Sequence, residues 1–172
     1  LLKDTQDLHW ILVGDGSDYD FVLKTRQEKK LEHCVHTYGR RPNEDMAALF
    51  AKGDVMLVSL TDEPIFSLTV PSKVQAYMAS GKPILASIRG EGARIVEEAR
   101  AGLSCSAQNP ESLARTVQEF MKMSNTERQA MGEQGFAYFQ KHFEQTVVIG
   151  QIESLCTEAI EAKKRSKVIK GN

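Results

Sequence analysis

The residues best suited to chemistry sit in one run, Val70-Pro-Ser-Lys-Val-Gln-Ala-Tyr-Met-Ala-Ser-Gly-Lys-Pro-Ile-Leu85. Pro71 suits the opening of a helix, because its φ is fixed and its missing N–H costs nothing there. Val74, Tyr77 and Met78 then repeat at helical spacing. Gly81 is placed to stop that helix, and Lys82-Pro83 leads into an apolar strand at 84–87. The opening residues are Ser72 and Lys73. Unpaired backbone N–H groups, the positive end of a helix dipole, a hydroxyl and an ammonium together suit a phosphate. An ordinary capped helix in an α/β core fits the same residues, and both readings stand at this point. Gly14-Asp15-Gly16 follows an apolar stretch. It is a GxG without the third glycine of a dinucleotide fingerprint, so a tight strand-to-helix turn explains it as well as ligand contact does.

These groups need elements to hold them. The pattern predicts strands at 9–13, 34–38, 55–60, 84–87 and 103–107, with 55–60 the most strongly buried. Helices are expected at 17–30, 43–51, 71–80 and 93–101, the last one ended by Gly102. Residues 61–69 read as an irregular loop, and 1–6 as the tail of a helix. Strand and helix alternate five times, which predicts a Rossmann-like, doubly wound parallel sheet of about five or six strands with helices on both faces. The last third is helical. Leu113, Val117, Phe120 and Met121 form one stripe, and Val148, Ile152, Leu155 and Ala159 another. Residues 163–170 are a basic tail without a stripe, read as a solvated end or as a weak contact with a membrane surface. In such a sheet, ligands bind outside the carboxyl ends of the strands. Gly14, Arg40, Ser72 and Lys73 should all fall on that edge.

Length and composition narrow the classes. A chain of 172 residues is one domain by length. Its 22 Lys+Arg against 23 Asp+Glu give no global field toward nucleic acid or anionic lipid. No apolar run approaches the ~20 residues that span a bilayer. There is no signal-peptide pattern, and since the sequence opens on Leu1 rather than Met it sets no limit on targeting. Cys34, Cys105 and Cys156 form no CxxC and are expected to be reduced core residues. His9, His33, His36 and His142 show no ligand spacing with them, so no metal site is expected.

The order of these segments resembles the group 1 glycosyltransferases, the retaining enzymes of GT-B fold. In particular it is similar to the bacterial sugar transferases of capsule, exopolysaccharide and O-antigen (lipopolysaccharide) synthesis. The resemblance is carried by Pro71-Ser72-Lys73 with Tyr77-Met-Ala-Ser-Gly-Lys-Pro83, by Gly14-Asp15-Gly16, Tyr38-Gly39-Arg40 and Gly53-Asp54-Val-Met-Leu-Val-Ser59, and by the strand start Gly102-Leu103. It runs from about Leu8 to about Phe143. It implies one half of a GT-B enzyme, the C-terminal nucleotide-sugar-binding domain at 1–143, followed by a C-terminal helix and basic tail at 144–172. That domain would lack its opening strand and part of its first helix, where relatives carry an Arg and a Lys on the donor diphosphate.

The resemblance also implies roles. Gly14, Gly16, Ser72 and Lys73 would bind the diphosphate of a UDP-sugar or GDP-sugar donor, and Tyr38, Gly39 and Arg40 its base. Asp62 and Glu63 lie in the preceding loop, within expected reach of the sugar hydroxyls. No catalytic residue is assigned. Transfer would need no metal and no cofactor, and the acceptor would be lipid-linked or a polysaccharide. The N-terminal domain would be an obligatory partner, so this chain alone is expected to be inactive. The expected place is the cytoplasm, peripheral at the inner face of the plasma membrane.

One departure is plain. Many relatives carry two glutamates eight positions apart, and here those positions hold Leu68 and Ala76. Ribose binding is thereby unassigned, since neighbouring Gln75 is rotated roughly 100° around the helix. Two alternatives stand beside this reading: an enzyme like the nucleotide-sugar 2-epimerases, which share the two-domain plan but need converging acidic and histidine residues of which this chain supplies no clear set, and a nucleotide-binding Rossmann-like module without chemistry, which Leu68 and Ala76 favour.

Overall fold

The computed structural model describes residues 2, 5 and 7–170, with side chains up to residue 163. The expected helix tail at 1–6 lies largely outside the described residues. The chain runs β1 (Trp10–Leu12), α1 (Tyr19–Glu28), β2 (Val35–Thr37), a 3-10 turn (Asn43–Asp45), α2 (Met46–Lys52), β3 (Met56–Ser59), α3 (Pro64–Ser67) and α4 (Ser72–Ala79). It continues through β4 (Ile84–Ser87), α5 (Glu91–Glu98), β5 (Gly102–Cys105), α6 (Pro110–Lys122), α7 (Asn125–His142) and α8 (Gln145–Lys170).

All strand pairs are parallel, as the alternation predicts. They form two sheets rather than one: β1 pairs with β2, and β3-β4-β5 form the other. Among the described residues, no strand bridges β1 and β3. The two sheets meet through side chains, because Leu8 and Trp10 join Val55, Leu57 and Leu85 in one apolar cluster. The open edge of β3 explains a second difference. The segment expected to be the most buried strand has only Val58 fully enclosed, while Ser59 is exposed. β4 takes that place instead, paired on both sides and buried along its whole length.

Side chains alternate across this central strand. Ile84 and Ala86 join Val58, Val74, Met78, Ile95 and Val96, with Tyr138 and Phe139 packed against them, so α4, α5 and α7 cover one face. Leu85 points the other way, onto Val117 and Phe120 of α6. Helices therefore lie on both faces, which is why β4 can be apolar at every position.

Three local expectations change. Gly102 does not end a helix. Arg100 takes the left-handed turn after α5 (φ 49°), and Gly102 opens β5. A Cβ at Gly102 would lie 1.8 Å from the Ile84 carbonyl oxygen, so the close approach of β4 and β5 requires glycine. The loop at 61–69 contains the short helix α3, begun by Pro64. Cys156 is exposed on α8 and not a core residue, whereas Cys34 is buried.

α7 packs through glycines onto the turn that closes α4 and onto the residue before β5. Gly132 lies against the Gly81 carbonyl, and Gly135 against Ala101. α8 leaves the body after its first turns, and Ile152 and Leu155 are 54% and 64% exposed. From Ile152 onward the stripe expected at 148–159 is thus solvent-facing within this chain, while Val148 is half-buried. The basic residues at 164–170 lie on the α8 backbone, and their side chains fall outside the described residues.

Candidate functional site at the carboxyl edge

Within each sheet the strands run parallel, so each loop leaving a strand starts at the carboxyl edge of its own sheet, and a crossover helix begins near that edge. The candidate residues fall there as two groups, one on each sheet.

The first group joins the ends of β1 and β2. The Gly14 N–H donates to the Gly39 carbonyl at 2.8 Å, and the Tyr38 N–H to the Leu12 carbonyl at 2.9 Å. The two loops picked out by sequence are therefore one backbone unit. Gly14 and Gly39 both have positive φ, 136° and 61°, which favours glycine at each. The Gly16 carbonyl accepts from the Tyr19 N–H and so starts α1. Arg40 is exposed. Two residues escaped the sequence reading. The Arg41 guanidinium lies over the Tyr38 ring, 5.7 Å from its centroid, and the Tyr19 hydroxyl lies beside Gly39. An aromatic followed by Arg-Arg was the available signal for the first; nothing in the sequence marked the second. A planar base could stack on this pair or displace the guanidinium from the ring.

The second group surrounds the start of α4. Pro71 is the N-cap rather than the first helical residue, and Ser72 begins the helix. No side chain caps this end, and Ser72 and Lys73 are both exposed. The helix is locally well specified. Val74 and Met78 are fully buried one turn apart, and Gly81 (φ 66°) terminates it, its N–H bonded to the Met78 carbonyl. The Val74 N–H donates to the Pro71 carbonyl at 2.9 Å; the N–H groups of Ser72 and Lys73, beside a hydroxyl and an ammonium, are what an anion needs.

The acidic loop residues behave differently from each other. The Asp62 carboxylate meets the Arg89 guanidinium at 3.3 Å, and its backbone N–H donates to Gln108 Oε1 at 3.2 Å. Glu63 is the N-cap of α3 and its side chain is exposed. Leu68 is 78% exposed. Ala76 faces an open cleft of about 470 Å3 between α2 and α4, lined also by Ala47, Phe50, Ala79 and Lys82. The Lys82 ammonium donates to the Ala51 carbonyl at 3.0 Å and ties the end of α4 to α2. Tyr77 packs edge-on against Phe50, and burial raises its phenol pKa. This cleft runs along the middle and end of α4. Neither Ser72 nor Lys73 lines it.

No hydrogen bond or ion pair joins the two groups among the described residues. The described residues also hold no cluster of three or more His, Cys, Asp or Glu side chains, and no helix long and apolar enough to cross a membrane.

Known proteins share this fold. The chain is 36% identical over 113 residues to the probable glycosyltransferase WbjE of Pseudomonas aeruginosa, a match covering 64% of this chain and 28% of that protein. Its fold matches HepE of Anabaena, solved in complex with UDP and glucose, with a TM-score of 0.75 at 20% identity, over 91% of this chain and 42% of that one. It also matches sucrose-phosphate synthase of Thermosynechococcus elongatus, with a TM-score of 0.74 at 23% identity, over 88% and 38%. The chain thus spans less than half the length of each of these relatives. These likenesses identify the fold as a Rossmann-like half of the GT-B type. The sequence profile of the glycosyl transferases group 1 matches residues 1–123, and the chain belongs to that family.

Proposed function

We propose that this chain is the donor-binding half of a glycosyltransferase that moves a sugar from a nucleoside-diphosphate sugar to a lipid-linked or polysaccharide acceptor in cell-surface glycan synthesis. The observation that carries this reading is the uncapped start of α4, with Ser72 and Lys73 exposed on the carboxyl edge. The family supplies the reaction class. The UDP-bound and UDP-glucose-bound forms of HepE supply the nucleotide chemistry by analogy of fold.

In such a transfer the bond between the anomeric carbon and the β-phosphate oxygen breaks, and negative charge grows on the departing diphosphate. The N–H groups of the first turn of α4, the Ser72 hydroxyl and the Lys73 ammonium would meet that charge in fixed positions. In this reading they do so without a metal ion. The Tyr38–Arg41 pair and the backbone of Gly39 would hold the base. Acceptor recognition belongs to residues outside this chain. The apolar face of α8 is suited to lie against them, and the reading places the work at the cytoplasmic face of the plasma membrane.

A second reading keeps the nucleotide and drops the chemistry. Leu68 and Ala76 favour it, because neither can hold a sugar or ribose hydroxyl. Calorimetric titration with UDP and GDP, followed by turnover of UDP-sugars by the full-length protein, separates the two. Turnover supports the transferase. Binding without turnover supports the module. Absence of binding by either nucleotide would refute both.

A further inference from the structure

Three loops that follow β3, β4 and β5 are fastened to one another at the carboxyl edge. Asp62, after β3, pairs with Arg89, after β4, at 3.3 Å. The Asp62 N–H donates to the side chain of Gln108, after β5, at 3.2 Å. Gln108 holds a positive φ of 53°, an uncommon conformation for a residue with a Cβ. The segments after β3 and β4 also touch directly, through the Ser67 backbone and the Pro71 ring. A Cβ at Gly90 would lie 2.0 Å from the Ser67 carbonyl oxygen, and one at Gly92 would lie 2.8 Å from Pro71 Cδ. Gly90 and Gly92 therefore lie against Ser67 and Pro71, in the segment that ends at the start of α4.

An exposed ion pair contributes little to global stability. A local role fits better: this pair spans two loops and fixes the segment that delivers Ser72 and Lys73. We propose that Asp62, Arg89 and Gln108 form a clasp that positions residues 60–70 against the start of α4. Asp62 is then a positioning residue and not a ligand of the donor sugar. The proposal rests on the donor-binding reading for its functional consequence.

The test uses the full-length protein, with Asp62→Ala, Arg89→Ala, Gln108→Ala and the charge swap combining Asp62→Arg with Arg89→Asp. Hydrogen exchange of the amides at 60–70 is read first, without nucleotide. UDP affinity is then read by calorimetry. Each single change should speed exchange of those amides severalfold and weaken UDP binding about fivefold, the scale of one exposed pair. The melting temperature should stay near that of the parent. The swap should restore both slow exchange and affinity. Unchanged exchange in the single variants would overturn the clasp. Lost affinity that the swap does not restore would make Asp62 a direct ligand and would equally overturn it. If the unaltered protein binds neither UDP nor GDP, the donor reading fails by itself, and the exchange data still decide the clasp.

Discussion

Gly132→Ala tests the packing that holds the donor helix in place. Inside an exposed helix, Gly→Ala stabilises by about 1 kcal/mol, because alanine loses less backbone freedom. Here the sign should reverse. The new Cβ would lie 2.0 Å from the Gly81 carbonyl oxygen, 2.8 Å from its carbonyl carbon and 3.3 Å from the Lys82 nitrogen. These are backbone atoms of the turn that closes α4, so no rotamer change relieves the contact. α7 would have to withdraw from α4 by roughly 1 Å to reach ordinary contact distance. That opens the layer where Tyr138 and Phe139 pack onto Val74 and Met78. Overpacking of this kind costs about 1–3 kcal/mol, and the upper end applies to a backbone contact. Offset by the helix gain, the net loss is about 2 kcal/mol. For a domain of this size that lowers Tm by roughly 4–8 °C. Urea unfolding of the parent and the variant, with m-values compared, measures it. Gly150→Ala is the control: no atom lies within 4 Å of its Cβ position, so no such loss is expected. A Gly132→Ala protein as stable as the parent, or more so, would refute the α4–α7 contact.

Other outcomes follow from the same structure. Backbone and side-chain hydrogen bonds from Ser124 hold the Glu127 carboxyl below its ordinary pKa. The capping box that starts α7 therefore stabilises above the ordinary carboxylate range and loses its effect as pH falls through the lowered value. Thermal melts of the parent and Glu127→Gln should differ near neutral pH and converge in acid; a constant gap would contradict this. Burial raises the Tyr77 phenol. Its contribution is complete below the ordinary tyrosine pKa of 10 and is lost as pH rises through the raised value, so Tyr77→Phe should blunt alkaline unfolding. If the full-length protein is the proposed transferase, Lys73→Ala should lower kcat/KM for the sugar nucleotide roughly a hundredfold with Tm unchanged. Turnover within a few-fold of the parent would leave Lys73 a surface lysine.

The sequence was most legible where the determinants are local. Pro71, the Val74–Met78 stripe, Gly81 and Pro83 punctuate α4 and β4 within one short stretch, and both elements stand there. Gly14 and Gly39 were each visible as turn residues. That one hydrogen-bonds to the other was not, because their pairing depends on the register of β1 against β2. The same limit hid the contact of His9 with His36, whose ring nitrogens lie 3.0 Å apart across 27 positions, and the meeting of Asp62 with Arg89 and Gln108. Gly102 misled for a related reason. A glycine after a helix reads as its stop, yet here the constraint is the Ile84 carbonyl on the neighbouring strand. The split of the strands into two sheets was equally invisible, since alternation counts strands and does not pair them. Roles at the site came from resemblance, because an uncapped helix start and a GxG turn each fit ordinary structure as well.

The central claim is that a nucleoside diphosphate sits on the start of α4 and the joined Gly14–Gly39 turn. Backbone amide resonances, followed by 15N-edited NMR during titration with UDP and GDP, test it most directly. The account predicts the largest saturable shifts at Ser72, Lys73 and Val74, with a second set at Gly14 and at 38–41. Shifts confined to the cleft of Ala47, Phe50, Ala76 and Lys82, or no shifts at millimolar nucleotide, would contradict it.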